Sequence, residues 1–358
     1  MPNRYALPAL KVVLLIGIVV LVALLPRFIG VYRVSQFTYV AIYLIALAGL
    51  NILTGYNGQI SLGHGAFMAI GAYTTAIATL GRDGLEEARL APPGWLPLGD
   101  GIDPLYTIPI AALVTGLVGL AFGLPALRLA GVSLALATFA VAVSLPLLAK
   151  RFENLTGGGG GLSLPLPKTP LGLDASASHW LYYQAWITAG LLLFAAWVLV
   201  RGRVGRAWRA LRDGEVAAVS SGVGPATYKT LAFGVSSAFA GVAGALFAMQ
   251  VSYVNPDTFP ITLSILLLAS VVAAGLGSLS GLLFGALLIQ FLPIYAQEPP
   301  LVDFEFSTQA PAVVFGAVLI FCMYALPGGV SGLLHRLVRP FTNALTRNRG
   351  QGSQTQGG

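Results

Sequence analysis

Arg201-Gly202-Arg203-Val204-Gly205-Arg206-Ala207-Trp208-Arg209-Ala210-Leu211-Arg212-Asp213-Gly214-Glu215-Val216-Ala217-Ala218-Val219-Ser220-Ser221-Gly222 lies between two long apolar runs, and that contrast decides the fold. Residues 201–229 hold six basic and two acidic residues. From Thr230 to Leu334 only Asp257, Glu298, Asp303 and Glu305 are charged, each in a short break between apolar runs. Water-soluble surfaces do not segregate charge in this way. Helices that cross lipid do, because a charge at membrane depth is expensive.

Working outward, the 358 residues are 56% hydrophobic and 9% charged, whereas globular domains carry about a quarter charged residues. The expected fold is an all-α polytopic membrane protein. Apolar runs near 8–25, 34–54, 59–80, 104–125, 130–149, 181–200, 230–250, 259–277, 281–296 and 309–326 predict about ten transmembrane helices, since about 20 residues cross a hydrocarbon core of about 30 Å. The first run follows Arg4 and Lys11 but has no small-x-small cleavage site after it, so it reads as a retained span. Residues 1–340 are expected to form one transmembrane domain, with 341–358 a disordered cytoplasmic tail.

Charge orients the spans. With both termini, the loop at Arg128 and the 201–229 segment on one side, that side collects 13 of the 20 Lys and Arg and 2 of the 13 acids. Basic residues accumulate in the cytoplasm, which places both termini there. Small residues four apart, Gly119/Gly123, Gly281/Gly285, Ser237/Gly241/Ala245 and Ala240/Gly244/Ala248, predict close helix packing and a buried helix over 230–250. Two opposite-side loops stand out. Residues 82–103 read as a solvated loop, and Gly157 to Gly161 either wraps a ligand or serves as a flexible joint, the joint being favoured because no strand precedes the run.

Several chemistries are excluded. No P-loop is present, and Gly275-Leu276-Gly277-Ser278 joins two apolar spans without the context of a dinucleotide site. The single Cys322 rules out an internal disulfide or a Cys-based metal site, and His64, His179 and His335 lack metal-ligand spacing. There is no carboxylate pair within a span and no nucleophile–base arrangement. No span carries an interior Asp, Glu, Lys or Arg, which argues against proton coupling; Lys11 and Lys150 lie at span edges, where they can snorkel.

The basic segment itself has local structure. Arg206, Arg209 and Arg212 recur every three residues and would line one side of a helix. Asp213 is a candidate N-cap for a second short helix, with Glu215 in its first turn, Gly222 ending it and Pro225 opening the next span. A structured, capped segment exceeds what a topology signal touching anionic lipid requires. It reads as a docking element for a partner.

At these residues the chain resembles the inner-membrane permease family of ATP-binding-cassette importers for branched-chain amino acids, in its Liv-type M branch. Gly205 to Gly222 is similar to that family's coupling loop, with Glu215, Ala217, Ala218 and Gly222 in matching places. Leu50 to Phe67, containing Gly58-Gln59-Ile60-Ser61-Leu62-Gly63-His64, resembles its N-terminal signature. Thr156-Gly157-Gly158 with Gly161-Leu162 resembles its outer-loop motif, and Leu276-Gly277-Ser278-Leu279 with Gly281 and Gly285-Ala286 supplies a fourth match. Ala274-Gly275 replaces the usual Gly-Gly pair, and the linker 82–103 is longer than the family pattern.

The resemblance implies a type II, vitamin B12-importer-like permease in the bacterial inner membrane. Its partners would be a second, H-type permease subunit, two cytoplasmic ATPase subunits, a periplasmic substrate-binding protein and membrane lipid, with no nucleic acid. The chain would need no cofactor, ATP being bound by the ATPase subunits. Gly205, Arg206, Arg209, Arg212, Asp213, Glu215, Ala217, Ala218 and Gly222 would form the ATPase-coupling set. Asn51, Asn57, Gln59, Ser61 and His64 either line the translocation path or satisfy the backbone of a broken helix. Rival readings are a related importer for urea or short-chain amides, a stand-alone channel, or a sodium-coupled carrier.

Overall fold

The computed structural model describes residues 20–94, 99–129, 131–165 and 177–297, with residue 17 and short pieces between 316 and 332. Helix α1, Val31–Leu50, continues as a π-helical stretch, Asn51–Tyr56. There follow α2 (His64–Glu87), α3 (Pro104–Ala126), α4 (Val132–Arg151), β1 (Leu162–Ser163), α5 (Ala177–Arg201), α6 (Arg203–Asp213), α7 (Glu215–Ser220), α8 (Pro225–Val251), β2 (Tyr253–Val254), α9 (Ile261–Ala274) and α10 (Leu282–Gln297). The described residues contain six apolar helices of membrane length: 31–56, 104–126, 132–151, 177–201, 225–251 and 256–274. The expected runs 8–25 and 309–326 lie largely, and the tail 341–358 wholly, outside the described residues.

Three expected boundaries are corrected. The run 59–80 is not one helix from its start: Gly58 adopts φ +77°, a left-handed turn that stops the preceding helix, and α2 begins only at His64. Residues 82–87, read as loop, are helical. The chain kinks at Gly81 (φ +64°), where Arg82 N–H donates to Gly99 O (2.9 Å) and Ile102 N–H donates to Ala78 O (2.9 Å). The run 259–277 stops at Ala274 because Gly275 turns out of helical geometry at φ +109°.

The bundle is centred on α1 and α8, in each of which 83% of the most apolar window is buried, against 22% in α4. The small-residue ladders explain why α8 sits in the middle. Gly119 of α3 lies against Ser237, and Gly241 of α8 against the Thr115 side chain and the Ala111 carbonyl. On the neighbouring face Gly244 meets the Met68 carbonyl of α2, and Gly71 meets the Gly241 backbone. In lipid, hydrophobic exclusion does not favour one helix over another, so this close approach gains its stability from dispersion contacts. Gly281 and Gly285 seat α10 on the backbone of α9 at Ala274 and Ser270 in the same way.

The glycine run is not a flexible joint. Gly157, Gly158 and Gly161 take φ of +72°, +55° and +66°, and the chain then pairs antiparallel with β2, Leu162 opposite Val254 and Ser163 opposite Tyr253. Tyr253 OH donates to Gly160 O (2.7 Å), and a Cβ on Gly161 would strike the Val254 carbonyl at 2.5 Å. The glycines serve a tight, packed turn that joins the end of α4 to the linker after α8. Lys150, at the edge of α4, reaches across the same end to Asp257 (2.9 Å).

Gly244→Leu should force α8 away from α2 and lower the thermal stability of the purified, detergent-solubilised protein by about 1–3 kcal/mol. Gly190→Ala, at a position with nothing within 4 Å of the added carbon, should leave the unfolding midpoint unchanged or slightly raised.

Candidate functional site

The basic segment is pinned to the bundle by its own sequence. Gly202 ends α5, and Gly205 lets α6 fold back against the Val200 backbone, where any Cβ would overlap. Trp208 is fully buried, and its Nε1–H donates to Tyr228 O (2.8 Å) in the first turn of α8. Leu211 and Ala207 are buried with it. Arg209 stays local, donating to Gly205 O (3.2 Å) and Val200 O (3.4 Å), and exposed Arg206 donates to Arg201 O (3.4 Å).

Asp213 is not the N-cap of the second short helix. It is the last residue of α6, and its carboxylate is held by the Arg212 guanidinium (3.0 Å). Gly214, in extended backbone, occupies the cap position and accepts at its carbonyl from Ala218 N–H (3.0 Å). Helix α7 ends as expected: at Gly222 (φ +83°) the Val223 and Gly222 amides return to Ala218 O (3.0 Å) and Val219 O (2.9 Å), satisfying both carbonyls. Both Glu215 carboxylate oxygens lie 2.7 Å from Lys229 Nζ, tying α7 to α8. Ala218 is buried, whereas Ala217, Val216 and Val219 face outward, Val216 at 86% exposure. Val216 and Val219 were not singled out from sequence, although two apolar residues three apart in a polar segment carried the signal.

Arg212 points the other way. Its Nη1–H donates to Gly55 O (2.7 Å) in the π-helical stretch that closes α1. Gly55 must be glycine, because a Cβ there would overlap Gly277 N and the Asn51 side chain. Asn51 fills the remaining space: Oδ1 accepts from Gly277 N–H (2.9 Å) and Nδ2–H donates to Ser278 O (2.9 Å). The break that ends α1 and the break between α9 and α10 are thus joined through Asn51 and braced by Arg212.

From Asn57 to Gly63 the backbone is irregular, with Gly58 and Ile60 exposed and Asn57, Gln59, Ser61 and Gly63 buried. Asn57 Nδ2–H donates to Gln59 Oε1 (2.6 Å), Thr54 Oγ1–H to Gln59 O (3.1 Å), and Ser61 Oγ accepts from Gly63 N–H (3.3 Å). More distant spans supply the rest: Thr138 of α4 accepts from Leu62 N–H (2.9 Å) and Ser264 of α9 from Gly65 N–H (2.9 Å). His64 is fully buried with Nε2 3.3 Å from Ser236 Oγ. The Ser236 hydroxyl donates to Gly49 O (2.7 Å), an arrangement that favours the His64 proton on Nε2 with Nδ1 as the acceptor. All five residues Asn51, Asn57, Gln59, Ser61 and His64 are buried. Asn51 bonds to backbone at Gly277 and Ser278, while His64 Nδ1 and Asn57 Oδ1 have no protein partner. Thr138, Ser236 and Ser264 were not named from sequence, since a lone hydroxyl in an apolar run does not reveal a partner so far along the chain.

No group of three or more His, Cys, Asp or Glu able to hold a metal occurs among the described residues. Residues 32–323 match the family described as "Branched-chain amino acid transport system / permease component". The chain is 32% identical over 316 residues, 80% of its length and 70% of theirs, to the high-affinity branched-chain amino acid transport system permease proteins LivM of Salmonella typhimurium and Escherichia coli K12. A shorter similarity, 29% over 202 residues covering 53% of this chain and 56% of the relative, links it to the autoinducer 2 import system permease protein LsrC of Escherichia coli. No solved structure matches the chain. The chain belongs to the branched-chain amino acid transport system permease component family, and is therefore a multi-pass permease of the bacterial inner membrane that works with ATPase and other transporter subunits, not an enzyme and without a cofactor of its own.

Proposed function

We propose that this chain is one of two permease subunits, paired with an H-type partner, in an importer that carries branched-chain aliphatic amino acids inward. A periplasmic binding protein delivers the solute, and two ATPase subunits drive the cycle from the cytoplasm. The full chain has ten spans in a type II, vitamin B12-importer-like arrangement with both termini cytoplasmic, which puts α6 and α7 on the cytoplasmic face.

One observation carries the reading: the Arg212 guanidinium spans from a surface helix to Gly55 O at the break that ends α1. A surface segment that only marked topology would have no need of a contact with the end of a transmembrane helix. The ATPase meets the outward side, at Val216, Val219 and Arg206, where apolar surface is presented on a short rigid helix. Gly205, Trp208 and the Glu215–Lys229 pair keep the segment stiff against α5 and α8. Movement imposed on α7 then passes through α6 and Arg212 to the two helix breaks. Helices packed through small residues can exchange between discrete arrangements, as alternating access requires.

The complex reconstituted in liposomes with internal ATP and the binding protein should accumulate leucine, isoleucine or valine; urea or amide uptake in their place would reassign the cargo. Arg212→Ala should still co-purify with the ATPase yet lose uptake by about ten- to a hundred-fold, the scale of a hydrogen bond to a charged group. Arg212→Lys should not restore it, because an ammonium cannot serve Gly55 and Asp213 with one planar fork. Loss of ATPase binding in Arg212→Ala would make the residue a docking contact instead. Glu215→Arg should abolish uptake at normal membrane abundance by setting two cations together, and adding Lys229→Glu should restore part of it. If the second change restores nothing, Glu215 acts on the ATPase and not on Lys229.

A further inference from the structure

Helices α3 and α4 are consecutive, yet they do not pack along their lengths. A cavity of about 220 Å³ occupies the wedge between them, lined chiefly by Gly63, Phe67, Phe122, Ala126, Leu134 and Thr138. Its lining is almost wholly carbon. The one hydroxyl, Thr138 Oγ1, is already spent, accepting from Leu62 N–H (2.9 Å) and donating to Ala135 O (3.0 Å). With no free polar side chain on the wall, the cavity has nothing to hold water and suits a hydrocarbon group. An enclosed apolar cavity of about 150 Å³ holds a molecule the size of benzene, so the volume here admits an aliphatic side chain.

Two features distinguish this hole from a packing defect. Its wall includes Gly63, the last residue of the irregular stretch before α2, and irregular backbone at membrane depth is tolerated where it is enclosed or lines a cavity. Transporters build solute sites at such discontinuous helices. The second feature is the neighbouring residue. His64 follows Gly63 directly and meets Phe67, another wall residue, edge-on at 6.3 Å. It is fully buried, and its Nδ1 has no protein partner. His64 is not itself a wall residue, so what the cavity supplies is a carbon surface that matches an aliphatic branch, with His64 one residue behind it.

We propose that the cavity between α3 and α4 receives the aliphatic side chain of the transported amino acid, with Phe67, Ala126 and Leu134 setting the size it accepts. The assignment rests on the cargo class proposed above. It makes this wedge a specificity determinant, which no feature of the basic segment could be.

The test uses the assembled complex in liposomes, with leucine and alanine uptake measured in parallel at matched permease abundance. Ala126→Leu narrows the cavity, and Val141→Ile, also on the lining, narrows it by one methylene should the first variant assemble poorly. In either, the leucine-to-alanine uptake ratio should fall about tenfold or more, the discrimination that a methylene-sized change in an apolar pocket produces. A ratio equal to that of the unmodified complex, whether uptake persists or falls alike for both solutes, overturns the site and leaves the cavity to a lipid chain or to packing. Failure of the unmodified complex to import any aliphatic amino acid would instead defeat the cargo reading, and that result is seen before any variant is made.

Discussion

A chain that leaves helical geometry inside an apolar bundle must find a partner for every amide and carbonyl it exposes, and that constraint organises this protein. Each such group left unpaired in hydrocarbon costs several kcal/mol, of order 2–7 for a peptide-like amide. From Asn51 to Gly63, first as a π-helical stretch and then as irregular backbone, and again between Gly275 and Gly281, the α-helices are interrupted. The partners come from elsewhere: Asn51 serves Gly277 and Ser278, Thr138 serves Leu62, Ser264 serves Gly65 in the first turn of α2, and Arg212 serves Gly55. The breaks are therefore stabilised by side chains placed by α4, α9 and α6. The arrangement of the helices and the irregularity of the backbone determine each other.

This interdependence separates the two kinds of contact in the bundle. Glycine ladders on α8 and α3 hold helices together through dispersion, which is short-ranged but not directional. The polar contacts at the breaks are few and directional, so a shift of α6 must either keep them or exchange them as a set. Arg212 is the member of that set mounted on the basic segment, and its guanidinium lies 3.0 Å from the Asp213 carboxylate, which balances its charge at the edge of the apolar region. In the proposed cycle, Arg212 is where a lever on α6 would act on the breaks.

Much of this was legible in the sequence because it follows from rules of local range. Charge segregation marked the apolar helices and the basic segment, the small-residue ladders marked α8 as buried, and Gly222 and Pro225 marked the end of one helix and the start of the next. Asp213 misled because an acid before a short helix resembles a cap, whereas the adjacent arginine claims its carboxylate. Gly157 to Gly161 misled because five glycines specify freedom, and only tertiary pairing with Tyr253–Val254 removes it. The span expected from residue 59 misled because Ile60 and Leu62 keep the stretch apolar while Gly58 turns it out of the helix. Three of the sequence motifs, at Leu50–Phe67, Gly205–Gly222 and Leu276–Leu279, meet at one node, which no spacing along the chain discloses.

The coupling of the basic segment to the helix breaks is tested most directly by amide hydrogen exchange on the assembled importer, with and without a non-hydrolysable ATP analogue, in the unmodified protein and in Arg212→Ala. Nucleotide should change the exchange of residues 55–65 and 275–281 in the unmodified protein and leave both stretches unaltered in the variant. An equal response in both proteins would show that motion reaches the breaks by another route, and that the hydrogen bond from Arg212 to Gly55 is not the link.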